Sequence, residues 1–269
     1  MVLASRLGGA VRAALRPGAR PLSRLAPVAF DRWIEEVTPT LKPPVANKLL
    51  YGAESALKMM IVGGPNARLD YHIQEGEELF FMIKGDMRLD IVERKKFKSI
   101  VIPEGHMFIL PSRVPHSPQR FKDSIGLVLE RGHIPAEIDG MRWYAEPPHV
   151  DGSDASAVEY EEHFFCEDLG SQLGPVIARY EARPPGAAPT VAADPPILVD
   201  DDVAVGPVKD VRPLLAAARA GTLKTSQMVM HGREYRAELL VGQCRGKIDD
   251  HVERASVDTL LWHLSLIHI

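Results

Sequence analysis

The chain has 269 residues, 45% hydrophobic and 25% charged, with a formal net charge of -4. That composition fits a soluble globular protein of one large or two small domains. The mild acidity excludes a nucleic-acid binder that works through a basic surface, and no run of about 18 apolar residues offers a membrane span.

Residues 1–30 stand apart. They hold Arg6, Arg12, Arg16, Arg20 and Arg24 with no lysine and no acid. An Arg-rich, acid-free leader is the signature of a mitochondrial transit peptide. A disordered extension, or upstream sequence translated through a misplaced start, reads the same way. The segment is set aside from the fold expectation. The expected location is the cytoplasm, or the mitochondrion if 1–30 is a transit peptide.

Phe30 to Val37 (FDRWIEEV) reads as a short helix that Lys42-Pro43-Pro44 ends, since proline removes a donor and restricts the residue before it. From Asn47 to Arg131 short β-prone runs alternate with turn signals. The runs are LKMMIV (57–62), ELFFMI (78–83), MRLDIV (87–92), KSIVIP (98–103), MFILP (107–111) and GLVLE (126–130). Gly63-Gly64-Pro65-Asn66, Lys84-Gly85-Asp86 and Pro103-Glu104-Gly105 punctuate them. Strands this close, with no helices between, predict an all-β antiparallel sandwich or barrel. Asp168 to Tyr180 reads as helical towards its C-terminal half. Residues 181–207, with six prolines, read as an extended linker. Beyond it come a helix-like run, VRPLLAAARAG, and strand-like runs, TSQMVM and YRAELLVG. The sequence ends inside an apolar run, LLWHLSLIHI, so the last domain is expected to be incomplete, with ladder partners unmade.

Two segments carry chemistry. One is DYHIQEGEELFFMIKG (70–85), with His72 and Glu78 six apart; the other is GHMFILPSRVPH (105–116), ending in His116. Two histidines and one carboxylate on a rigid β scaffold make a facial set that holds Fe(II) and leaves positions open for other ligands. Glu75 and Glu77 are near alternatives to Glu78; Glu77 would point to the opposite strand face and Glu75 adjoins Gly76 on a turn. His106, His133, His149, His163, His231, His251, His263 and His268 lack such a context and are read as ordinary surface or core histidines. The two cysteines, Cys166 and Cys244, are too few for a disulfide framework and suit a reducing compartment.

These segments resemble the paired motifs of the cupin superfamily, His-x-His…Glu…Gly and Gly-x5-Pro-x-Gly-x-x-His. The chain departs from them twice. Asp70 replaces the first histidine, which sharpens the two-His, one-carboxylate reading, and Arg113 replaces the second motif's inner glycine. The surrounding words, PPVANKLL (43–50), IVGGPNARLDYHIQEGEELFFMIKGDM (61–87), LPSRVPHSPQRF (110–121), GLVLERG (126–132) and FFCEDLGSQLGPVI (164–177), resemble the 3-hydroxyanthranilate 3,4-dioxygenase family. The resemblance covers about residues 31–180. It implies a catalytic cupin over 31–180 and a second, degenerate and truncated cupin over 208–269, of the animal-type form that lacks a Cys-x-x-Cys iron site.

The resemblance also implies roles. His72, Glu78 and His116 match the Fe(II) ligands, with Glu78 also at the substrate. Arg120 matches the arginine that grips the substrate carboxylate, as a planar guanidinium fork suits. Glu130 matches the acid at the ring substituents, which takes the phenolic proton. Arg68 matches an arginine near O2. Asn47 would line the pocket, Phe80, Phe81, Met82 and Phe108 would form an apolar shell, and Cys166 would be an inert buried thiol. The reaction implied adds both atoms of O2 to 3-hydroxyanthranilate, giving 2-amino-3-carboxymuconate semialdehyde, which closes to quinolinate on the way to NAD. The expected partners are this substrate and O2 on a monomer, with no nucleic acid and no membrane. The alternatives are another cupin dioxygenase, or a cupin that binds metal or ligand without catalysis.

Overall fold

A computed structural model describes residues 2–5, 28–42, 46–50, 57–145, 150–220, 222, 237–240 and 259–261. In chain order the elements are β1 (Val2–Ser5), α1 (Phe30–Val37), β2 (Asn47–Leu49), β3 (Leu57–Gly63), β4 (Tyr71–Ile73), β5 (Glu78–Lys84), β6 (Met87–Glu93), β7 (Lys96–Ile102) and β8 (His106–Leu110). After them come β9 (His116–Arg120), β10 (Ile125–Arg131), β11 (Asp139–Tyr144), β12 (Val158–Phe164), α2 (Leu169–Glu181), β13 (Lys209–Asp210), α3 (Arg212–Arg219), β14 (Ala237–Leu240) and β15 (Thr259–Leu261). They divide into two units, Val37–Asp210 and Met1–Glu36 with Val211–His268.

Val37–Asp210 holds two six-stranded sheets, β13-β8-β5-β10-β3-β2 and β12-β11-β4-β9-β6-β7, with every pairing antiparallel. The chain changes sheet at almost every step from β3 to β11, which is the jelly-roll winding expected of a cupin. Strand alternation explains the core. On β5, Glu78, Phe80 and Met82 share one face and Leu79 and Phe81 the other. Phe80 and Met82 join Met60, Leu89, Ile91, Phe108 and Val128 in one buried cluster. Phe81 is buried but stands on the opposite face and outside that cluster, which corrects its place in the expected apolar shell.

Turn chemistry fixes the register. The β6–β7 hairpin turns on Arg94 and Lys95, both with positive φ (51° and 60°), as a two-residue hairpin turn requires. Arg113, where the motif usually has glycine, also has φ 60°. Its strain is held by Arg113 N donating to Gln74 O (2.8 Å) and Asp200 N donating to Arg113 O (3.1 Å).

Two stretches differ from their sequence reading. α2 is helical from Leu169, not only in its C-terminal half. Its start is held by Gln172, whose Oε1 accepts from Glu167 N and Asp168 N, and the helix lays Leu173 and Val176 on Met141 and Trp143. The Pro-rich stretch 181–207 is extended but fastened. Thr190 exchanges backbone hydrogen bonds with β12, Ile197 is 2% exposed, and Val205 N donates to Glu93 Oε1 (2.7 Å). Val203, Val205 and Val208 pack on the inter-sheet core, and β13 pairs with the edge of β8.

In the other unit, β1 lies between β14 and β15 in an antiparallel sheet. The N-terminal segment set aside above therefore contributes a strand. The second cupin expected over 208–269 lies mostly outside the described residues, as do the transit-peptide reading, Pro43-Pro44, Cys244, the strand expected at 225–230, and His149, His231, His251, His263 and His268.

Candidate metal and substrate site

The site is built from one rung on each sheet. In the first, Glu78 pairs with Leu110 and Glu130, and Glu130 pairs with Lys58. In the second, His72 pairs with Met141 and His116, and His116 pairs with Ile91. The rungs meet where His116 Nε2 lies 2.9 Å from Glu78 Oε2. The two imidazole centroids are 5.3 Å apart. His72, Glu78, His116, Arg120 and Glu130 are all buried. Glu75 and Glu77 are half-buried and lie toward Arg131, so Glu78 is the carboxylate that reaches His116.

Hydrogen bonds set the imidazole tautomers. His116 Nδ1 lies 3.1 Å from Val114 O, which can only accept, so Nδ1 carries a proton and Nε2 is the nitrogen that meets Glu78. An imidazole nitrogen and a carboxylate oxygen this close are two donors that a divalent cation can share in place of a proton. His72 differs, because its Nε2 donates to Asp139 Oδ2 (2.8 Å). The structure thus brings Glu78 and His116 together and sets His72 beside them, turned to Asp139. Among the described residues no three metal-binding side chains converge on one point.

Electrostatics support a cation all the same. Glu78, Glu130 and Asp139 are buried carboxylates, set against Arg120 and the nearly buried Lys58. With neutral imidazoles, a divalent cation plus a singly charged carboxylate would bring this set to neutrality. Burial of Glu78 works against its charge, but His116 outweighs it and holds the carboxyl below the usual range; Gln74 Nε2 also donates to Glu78 Oε2 (3.2 Å). Glu130 behaves oppositely. Burial, then the charge of Glu78, push its carboxyl up to about 7 against the pull of Lys58. Its Oε2 is buried with no hydrogen-bond partner. An orphaned acceptor of this kind is costly unless a ligand satisfies it.

Arg120 shares a strand face with His116. Its guanidinium has no carboxylate within ion-pair distance among the described residues; its nearest polar contact is Met82 Sδ at 3.9 Å. Burial lowers its pKa to about 10, Glu78 opposing and Arg68 adding, so it stays charged at neutral pH. Gly126 makes room for it, since a Cβ there would run into Arg120 Nη1. Arg120 and Glu130 do not pair with each other at the surface; each is buried in its own setting.

Arg68 is closed on Asp70 through both carboxylate oxygens. The residue that replaces the motif's first histidine is therefore Arg68's counter-ion. Arg68 N donates to Gln119 Oε1 (3.0 Å), and Gln119 Nε2 donates to Arg68 O (2.9 Å). Asn47 is half-buried, 3.7 Å from Met60 Sδ. Cys166 is buried, and burial followed by the Asp139 and Glu130 charges raises its thiol far above the usual range, as an inert thiol requires. The Phe80 ring stands edge-on to His116 at 6.3 Å.

Sequence reasoning misses Lys58, His133, Asp139 and Gln74. His133 reads there as an ordinary histidine, yet it lies 2.9 Å from Asp139 and 3.4 Å from Lys58. One signal is present in the text: Lys58 is the only charge in the strand run LKMMIV.

Comparison with known proteins gives one family match. The family described as 3-hydroxyanthranilic acid dioxygenase matches residues 22–181. The 3-hydroxyanthranilate 3,4-dioxygenase of Bos taurus is 48% identical over 154 residues, 57% of this chain and 51% of that protein. The same-named protein of Nematostella vectensis is 53% identical over 148 residues, 55% of this chain and 51% of that protein. The chain spans about half the length of the curated relatives it matches. Among solved structures, a cupin-2 domain protein of Shewanella frigidimarina aligns over 36% of this chain and 91% of that one, at 12% identity and a TM-score of 0.31.

Proposed function

The chain belongs to the 3-hydroxyanthranilic acid dioxygenase family, and from that membership we propose that it opens the ring of 3-hydroxyanthranilate with O2, using Fe(II) held by His72, Glu78 and His116. The observation that carries the reading is Arg120, a buried, charged guanidinium without an acid, on the same strand face as His116. Such a group calls for an anionic ligand, and the substrate's carboxylate supplies one through two parallel charge-assisted hydrogen bonds.

The imidazoles of His72 and His116 and the carboxylate of Glu78 would hold the Fe(II), which would supply Lewis acidity toward the substrate and redox chemistry with O2. The protein's own work is to bind, orient and accept a proton. Arg120 anchors the carboxylate and fixes the ring. Glu130 Oε2, left without a partner, accepts the proton of the ring hydroxyl, and its raised pKa lets it keep that proton near neutrality. Phe80, Met60 and Val128 wall the site and exclude water. Arg68 is closed on Asp70, so a role at O2 would need it to leave that partner.

The test is anaerobic reconstitution with Fe(II), then addition of 3-hydroxyanthranilate and O2. The expected result is one O2 consumed per substrate, with the absorbance of the semialdehyde product, and loss of both in His116→Ala. A folded, Fe(II)-loaded protein that consumes no O2 with this substrate would overturn the reading.

A further inference from the structure

Asp139 faces two buried imidazoles at once. Its Oδ2 lies 2.8 Å from His72 Nε2 and its Oδ1 2.9 Å from His133 Nε2. His133 then presents Nδ1 to Lys58 Nζ at 3.4 Å, and Lys58 Nζ lies 3.6 Å from Glu130 Oε1. His72, Asp139, His133, Lys58 and Glu130 thus form one continuous chain of side chains. The most exposed of the five, Lys58, is at 10%.

The polarity of this chain is set at its ends. A carboxylate only accepts, so His72 Nε2 donates to Asp139 Oδ2, while His133 Nε2 lies 2.9 Å from Asp139 Oδ1 without an aligned hydrogen bond. An ammonium only donates, so His133 Nδ1 accepts from Lys58, while Glu130 Oε1 is held by charge alone at 3.6 Å. His133 lies between β10 and β11, where the backbone crosses from one sheet to the other. It is therefore the link between the half of the site on the first sheet and the half on the second. Glu130 needs such support, because it stands opposite Glu78 and like charges across a ladder repel. His72 needs it too, because a metal-bound imidazole is oriented by what its other nitrogen donates to.

We propose that Lys58, His133 and Asp139 are a positioning arm joining His72 to Glu130, in which Asp139 orients the imidazole for the metal and Lys58 holds the proton acceptor in the pocket. The Lys58 half rests on the reaction proposed above; the Asp139 half rests only on the metal site proposed at His72.

Two measurements on the full chain test the arm. The first uses Mn(II) as a probe of the metal site by calorimetry. Asp139→Asn is expected to lower Mn(II) affinity about ten- to a hundredfold, and Lys58→Met to change it by less than about threefold. If Asp139→Asn does not fold, Asp139→Glu carries the same expectation. The second is steady-state kinetics of the Fe(II)-loaded protein. Lys58→Met is expected to lower kcat about a hundredfold while KM, set by Arg120, stays within about threefold. Lys58→Arg should recover much of that loss. In the Lys58→Met/Glu130→Gln pair the second change should add nothing further. Unchanged Mn(II) affinity in folded Asp139→Asn and Asp139→Glu, or losses at Lys58 and Glu130 that simply multiply, would overturn the arm. Wild-type protein that binds Mn(II) but has no turnover with Fe(II) would sink the proposed reaction instead, and the Mn(II) comparison would still decide for or against Asp139.

Discussion

Glu130 on β10 stands directly opposite Glu78 on β5, two buried carboxylates in one rung of an antiparallel ladder. Their environments push them apart. Glu78 has His116 at 2.9 Å and is held low, whereas Glu130 has Lys58 only at 3.6 Å and is pushed up to about 7. Two carboxyl groups separated in this way are suited to different tasks, Glu78 to the proposed metal and Glu130 to the proposed proton transfer.

That separation predicts a pH dependence of stability in the metal-free protein. Glu130 ionises near 7 in the fold, against an ordinary value of 4.5. Between those values the folded chain holds a proton that the unfolded chain has released. The group's stabilising contribution is therefore full below about 4.5 and is lost as pH rises through 7. Glu130→Gln cannot ionise, so its melting temperature should exceed that of wild type more at pH 8 than at pH 5, by on the order of 2–3 kcal/mol in stability. A constant difference across that range would refute the assignment.

Arg120 predicts a trade between stability and binding. A buried guanidinium without an acid is costly in the empty protein. Arg120→Met keeps the volume and removes the charge. The variant should melt at or above the wild-type temperature, yet lose substrate affinity worth on the order of 2–5 kcal/mol, read as KM. A lower melting temperature with unchanged KM would take Arg120 out of the site.

Gly126 tests the same contact from the other strand. A Cβ there would collide with Arg120 Nη1 and sit 3.0 Å from Met82 Sδ. Gly126→Ala should raise KM by about tenfold or more, since misplacing a binding group by about 1 Å can be that damaging. Mn(II) affinity should stay unchanged, because the metal rung lies elsewhere on the strands. A parallel loss of Mn(II) binding would mean that the substitution disturbs the whole sandwich.

The sequence is most legible where apolar side chains pack. β5, β6, β7, β8 and β10 coincide closely with apolar runs. β4 (YHI) and β9 (HSPQR) do not read as strands, although both histidines proposed as ligands sit on them. β4 is only three residues long, with Tyr71 and Ile73 in the core and His72 alone facing the other way, and β9 is polar with Pro118, which argues against a strand. His72, Glu78 and His116 are legible because motif spacing survives as text, and Arg120 only through the family resemblance of the words around it. Lys58, His133 and Asp139 are not, because only the winding of the two sheets brings these three stretches together. Phe81 is misplaced in the sequence reading although strand alternation alone puts it on the face away from Glu78.

The stretch 181–207 gives the last prediction. Its composition reads as a linker, yet Ile197 is 2% exposed and packs near Gly140 on β11, the strand that also carries Asp139. Ile197→Ala should therefore act as a core truncation and lower stability by about 2–4 kcal/mol. Val191→Ala, in the same stretch but 47% exposed, should change it by less than about 0.5 kcal/mol. Thermal melts of the two variants decide the matter. A free linker would leave both melting temperatures at the wild-type value, whereas a fastened segment lowers only the first.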